Sequence, residues 1–129
     1  IVYFDGNSWK SSQVSQRKTA FSLSGAGTKK IPISRPQIMV DGKKVFVIFR
    51  DAERENRISA AVCSNIKNCI WKISDLTDFS VEMWEPTFDQ NLWNQRKELH
   101  LFVQKVGQGD GEKSEAVEPQ MISVLEWKP

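Results

Sequence analysis

At 129 residues, 40% hydrophobic and 26% charged, the sequence has the size and composition of one globular domain that can bury a core. Its formal net charge is only +2, with acids and bases interspersed, which gives no electrostatic case for nucleic acid or a membrane surface as partner. No transmembrane run, signal peptide or lipidation motif is visible.

The chain opens in an apolar run, "IVYF", without an initiator Met, so we expect a processed chain or a piece of a longer one. That run, Asp5-Gly6 and "NSWKSSQVS" read as a hairpin whose loop can exceed two residues. A polar passage rich in Gly and Ser follows, through "SLSGAGTKKIPIS". "RPQIMV" and "KKVFVIF" form a second hairpin around Asp41-Gly42, the strongest turn signal in the chain. "RISAAVCS" and "CIWKISDL" continue as third and fourth strands, so Arg35 to Leu76 is expected to be a four-stranded antiparallel meander. Cys63 and Cys69 flank "SNIKN" across the last hairpin, close enough for a bridge or present as two buried thiols; the spacing does not suit zinc.

A second copy follows. Aligning Pro36 with Pro86 and "KKVFVIFRD" with "KELHLFVQK" puts Val45, Val47, Ile48 and Phe49 on Leu99, Leu101, Phe102 and Val103. In the second copy "TFDQNLWNQR" occupies the turn, and a polar loop, "VGQGDGEKSEAVE", precedes a last strand, "PQMISVLEW". The opening hairpin matches the end of such a unit. Repeats of four short strands point to an all-β chain of β-propeller blades, about two and a half of them. Residues 1–15 end a preceding blade, 16–33 link, 34–77 make a complete blade, and 78–129 a further blade lacking its last strand. Blade strands packed between neighbours must be apolar on both faces, which accounts for the unbroken run Val45–Phe49. The remaining blades are therefore expected as partners, from the same protein or another copy.

"SRPQIMVDGKKVFVIFRD", the degenerate box "SNIKNCIW", and "WEPTFDQNLW" with "ELHLFVQ" and "VLEW" resemble the BNR-repeat-containing, sialidase-like β-propellers, in particular the group that includes ulvan-type polysaccharide lyases. The resemblance covers most of the chain from Ser34 onward. In that box Ser64 and Trp71 keep the family's spacing, while Ile66 replaces an Asp and Asn68 a Gly whose left-handed turn an Asn can adopt. The resemblance implies a secreted or periplasmic carbohydrate-active protein, a polysaccharide lyase or glycoside hydrolase acting on an acidic glycan, with no cofactor. The alternative is a non-catalytic propeller that binds glycan or protein.

Arg35, Arg50, Arg54 and Arg57, with Asp51 and Glu53, would gather where loops leave a blade. A guanidinium fork there suits the carboxylate or sulfate of an acidic sugar, and it suits structural pairing between blades equally well. Arg35, Arg50, Arg54 and Trp84 are the substrate-binding candidates. Glu85, with Asp89 as the second carboxylate that glycoside hydrolysis needs, is an acid/base candidate, and His100, the one histidine, a candidate base for proton abstraction beside a sugar carboxylate. The plainer alternatives are that Trp84-Glu85-Pro86 braces a blade junction and that His100 is a hydrogen-bonded strand residue. Trp9, Trp71 and Trp127 read as packing residues and Tyr3 as packing, while Trp84 and Trp93, nearer loops, stay candidates for either packing or a sugar-stacking platform. The polar loop lacks a calcium-loop pattern and no metal site is expected. One His and one Tyr make no full lyase or sialidase set, so further blades must complete any such site and this piece alone is expected to be inactive.

Overall fold

Alternating and continuous apolar patterns resolve here into short antiparallel strands. The computed structural model describes residues 1–111, 113 and 115–129, so Glu112 and Ser114 of the polar loop lie outside the described residues. Strands β1 (Val2–Phe4) and β2 (Trp9–Ser11) pair as a hairpin, with Phe4 opposite Trp9 across a four-residue loop. Strands β3 (Gln37–Asp41), β4 (Lys44–Asp51), β5 (Arg57–Cys63) and β6 (Lys72–Asp75) form one antiparallel meander in that order. Asp41 faces Lys44, so the turn itself is Gly42-Lys43, one residue past the Asp-Gly signal, with Gly42 left-handed at φ 58°. Such a φ is open to Gly without a Cβ clash.

Two further turns carry local chemistry. After β4, Asp51 caps the 3-10 turn Ala52–Arg54 by accepting from the Glu53 N–H at 2.9 Å, and Glu55 and Asn56 then turn back left-handed at φ 57° and 52°. Between β5 and β6, Cys63 and Cys69 are joined in a disulfide, their Cα atoms 5.5 Å apart. The 3-10 turn Ile66–Asn68 inside that loop corrects the expectation for Asn68. It does not take a left-handed φ, because the Asn65 side chain caps the turn in its place by accepting from the Lys67 N–H at 3.1 Å.

The second unit is an abridged version of the first. Helix α1 (Gln90–Arg96), where only a turn was expected, starts at Asp89, whose carboxylate accepts from the Leu92 N–H at 2.9 Å, and ends at left-handed Lys97. It seats Trp93 against Phe46, centroids 5.4 Å apart. Strands β7 (Leu99–Val103) and β8 (Ser123–Trp127) pair antiparallel. Ahead of them the first strand is reduced to one bridge, Phe88 to Leu101. Ile38, two residues past Pro36, pairs with Val47; Phe88, two past Pro86, pairs with Leu101, the residue aligned with Val47. The repeat is thus one of register as well as of sequence. The chain is all-β in class with antiparallel sheets, and no sheet closes on itself among the described residues.

The continuous apolar run of β4 has a neighbour on each side. On one face Phe46 and Ile48, with Met39, Ile58 and Ala60, pack against Val81, Trp84, Trp93, Leu99, Leu101 and Val103 of the second unit. On the other face Val47, Phe49 and Ala61 meet Ile1, Val14, Ile33, Trp71 and Ile73. Burying a side chain the size of Ile or Phe contributes roughly 1.5–3 kcal/mol, so β4 anchors both layers. No helix among the described residues is long and apolar enough to cross a membrane.

Candidate functional site

Alternation along β4 sends Arg50 to the face that carries Phe46 and Ile48 and Asp51 to the opposite one. Arg50 is fully buried. Its Nε–H donates to the Trp84 carbonyl at 3.1 Å, one Nη to Asn56 Oδ1 at 3.1 Å, and the other to the Ile31 carbonyl at 3.2 Å. Glu85 Oε1 lies 3.9 Å from Nη2, and the Ser34 hydroxyl accepts from the Arg50 N–H at 2.8 Å. Burial pulls the guanidinium below its usual pKa, and the charges of Glu85, Asp51 and Glu82 oppose that pull. An arginine so placed remains a cation.

The segment read as a linker closes over this end of β4. Arg17 pairs with the buried Asp51 carboxylate and lies over the Phe21 ring, its guanidinium carbon 5.5 Å from the centroid. Arg17 Nε–H is buried with no partner among the described residues. Glu53 receives the N–H groups of Thr19 and Lys18, the latter at 2.8 Å, which hold its carboxyl below the ordinary carboxylate range. From the far end of the chain, Asp110 Oδ1 accepts from the Lys30 N–H at 2.8 Å, and Gly111 N–H reaches the Thr28 carbonyl at 2.8 Å. These segments enclose an open cleft of about 610 Å³ lined by Arg17, Lys30 and Arg50 on the cationic side and Glu53 and Asp110 on the anionic side, with Phe21, Asn56 and Met83 between them. Arg17 and Lys30 bring positive charge to this cleft beside the Phe21 ring, with Arg50 buried behind them; Arg17 is paired with Asp51, and Lys30 Nζ lies 3.2 Å from the Glu115 carboxylate.

The structure brings four candidates together. Arg50 donates to Trp84, Glu85 stands beside Arg50, and Glu85 Oε2 accepts from the Arg35 N–H at 2.8 Å. Gln37 Nε2 donates to the Pro86 carbonyl at 3.2 Å. Trp84-Glu85-Pro86 therefore staples the two units, while the Arg35 side chain stays exposed. Arg54 lies elsewhere, tied to Asp75 at 2.7 Å and to Ser59 at 3.0 Å. His100 faces Glu126 across β7 and β8 in a cleft with Arg96, Glu98 and Lys128, whereas Glu85 lines a different one with Gln104 and Gln108, so the two acid/base candidates are not brought together. Trp84 and Trp93 are buried, the Trp84 Nε1–H donating to the Phe102 carbonyl at 2.8 Å, and neither offers an open ring face; Trp9 is the exposed indole.

Arg17, Lys30, Asn56 and Asp110 escaped the sequence reading. Their only signal was polarity inside polar stretches, charged for Arg17, Lys30 and Asp110 and neutral for Asn56, which is indistinguishable from a solvated loop until the stretches are folded onto β4. Among the described residues no group of three His, Cys, Asp or Glu side chains converges as a metal site. No protein-family model matches the sequence, and a search of curated proteins likewise finds no match.

Proposed function

We propose that the chain is part of a secreted β-propeller that acts on an acidic polysaccharide, as a polysaccharide lyase or glycoside hydrolase, and that the cleft at the end of β4 receives the sugar's carboxylate or sulfate. The observation that carries this reading is the convergence of Arg17, Lys30 and Arg50 on one open cleft. The propeller is supported by the shared register of the two units and by β4 being covered on both faces. Export is supported by the Cys63–Cys69 disulfide, a bond that persists outside reducing compartments.

In a lyase, the cations neutralise the uronate carboxylate, a base removes the proton on the carbon beside it, and the neighbouring glycosidic C–O bond breaks to leave an unsaturated uronate. This chain supplies the anion-holding side; further blades supply the base. A second reading, a glycan-binding module without turnover, is favoured by one feature: three Arg50 N–H groups already donate to protein acceptors, and the single His lines another cleft.

Calorimetric titration of the chain with a uronic-acid oligosaccharide and a neutral one of the same linkage tests the site. Binding of the acidic sugar alone, weakened by salt and lost in the double variant Arg17→Gln and Lys30→Gln, is expected. Equal binding of both sugars, or of neither, overturns the reading. With the remaining blades present, absorbance of unsaturated uronate on a panel of acidic polysaccharides separates the lyase from the module.

A further inference from the structure

The three cations of the cleft at the end of β4 are not equally available. Arg50 is fully buried and bonded to protein acceptors, and Arg17 is mostly covered and paired with the buried Asp51. Lys30 is the exposed one. It lines the cleft, yet its ammonium donates to both carboxylate oxygens of Glu115, at 3.2 and 3.4 Å, and Glu115 is not among the lining residues. Breaking a buried pair strands a charge in the interior, whereas both partners of an exposed pair return to water at little cost. Lys30 is therefore the cation of the three that can change partners.

The backbone places Glu115 where it can do this. The chain folds back on itself ahead of it, with Gly109 N–H donating to the Lys113 carbonyl at 2.8 Å. Gly107 then runs so close to the Glu115 main chain that a Cβ at Gly107 would collide with the Glu115 carbonyl. On the facing segment, Lys30 N–H donates to Asp110 Oδ1 at 2.8 Å and the Thr28 carbonyl accepts from Gly111 N–H at 2.8 Å. Each of these contacts uses a main-chain group of residues 28–30 or 107–115, so all of them persist whichever way the Lys30 side chain points.

We propose that Glu115 is a built-in counterion that holds the Lys30 ammonium at the rim of the cleft, and that the carboxylate or sulfate of an acidic sugar binds there by taking its place. Glu115 thereby sets the affinity of the site from outside it. The inference rests on the acidic-glycan reading of the cleft and adds its regulation. In the exchange one ion pair is broken and one is made: the ammonium swings from Glu115 to the sugar's anion, and the Glu115 carboxylate returns to water. A competing group of this kind lowers the apparent affinity by the fraction of molecules in which it occupies the cation.

Calorimetric titration with a uronic-acid oligosaccharide reads the outcome. Glu115→Gln is expected to raise the affinity about two- to fivefold, the ratio to which the strength of an exposed ion pair converts. Glu118→Gln, which removes an exposed acid three residues further on, is expected to leave it unchanged. In a chain already carrying Lys30→Gln, binding is weaker and Glu115→Gln is expected to add nothing, because its effect acts through Lys30. Both carboxylates are exposed, and circular dichroism verifies that each variant folds. A wild-type chain that binds the sugar while Glu115→Gln binds it no better, an equal gain in Glu118→Gln, or a gain that survives Lys30→Gln overturns the inference and leaves the acidic-glycan reading standing. Absence of binding in both the wild-type chain and Glu115→Gln overturns that reading, and this inference with it.

Discussion

Strands β4 and β7 hold the same place in two units that share a register, yet β4 is buried on both faces and β7 on one. Along β7 the buried Leu99, Leu101 and Val103 alternate with half-buried His100 and exposed Phe102. Along β4 the aligned residues are Phe46 and Ile48, both buried. Two-sided burial is therefore a property of the neighbours and not of the strand: the first unit has the second on one side and the N-terminal segment on the other, while the second unit has a companion on one side only. The arginine differs in the same sense. Arg50 sits under the Ile31 carbonyl, whereas the aligned Gln104 is exposed.

The sharpest way to break the comparison is at that last pair. Arg50→Met leaves the Trp84 and Ile31 carbonyls and Asn56 without their donor and Glu85 without its cation, and is expected to cost about 3–5 kcal/mol in urea unfolding. Gln104→Met is expected to stay within about 0.5 kcal/mol, as for most surface changes. Next comes the core: Ile48→Ala is expected to cost about 2–5 kcal/mol and Phe102→Ala, in the dilute chain, a small fraction of that. Equal losses would mean that the two strands are not differently buried in solution. Replacing Cys63 and Cys69 together by Ser is expected to lower stability by about 2 kcal/mol, the loop-closure value for so short a ring, with reduced wild-type protein unfolding alongside the variant.

The smallest effect concerns pH. Glu53, held by the Thr19 and Lys18 N–H groups, has a folded pKa below its unfolded one, so the docked linker binds fewer protons at Glu53 than the unfolded chain does. Its contribution is present above the unfolded value and is lost as pH falls through the folded one. Glu53→Gln is therefore expected to remove part of the stability decline on acidification below the usual glutamate range, read as a shallower slope of melting temperature against pH.

What was legible in the sequence is what neighbours along the chain decide. The turn near Asp41-Gly42, the strands beside it and the repeat beginning at Pro86 all follow from local alternation and turn chemistry, and the structure displaces the first turn by only one residue. What was not legible depends on distant partners. Arg50 reaches acceptors 34 and 19 residues away, and Glu85 accepts from a residue 50 positions back, so no window of sequence contains those pairings. Trp93 read as a loop residue because helix α1 is short and polar, its one buried member being the indole that meets Phe46, and Trp84 because it lies outside any strand or helix. The passage through residues 17–30 read as spacer because it forms no strand, and its role in lining the cleft arises only on docking.

The three successive residues Trp84, Glu85 and Pro86 each accept a hydrogen bond from the first unit. Tilting one unit against the other would stretch all three at once, and a sliding motion would pull the buried Arg50 out of register with them. The pair is expected to behave as a single body without a pivot, so a visiting ligand would meet walls already set at their final angle, and little of its affinity would go into reshaping them.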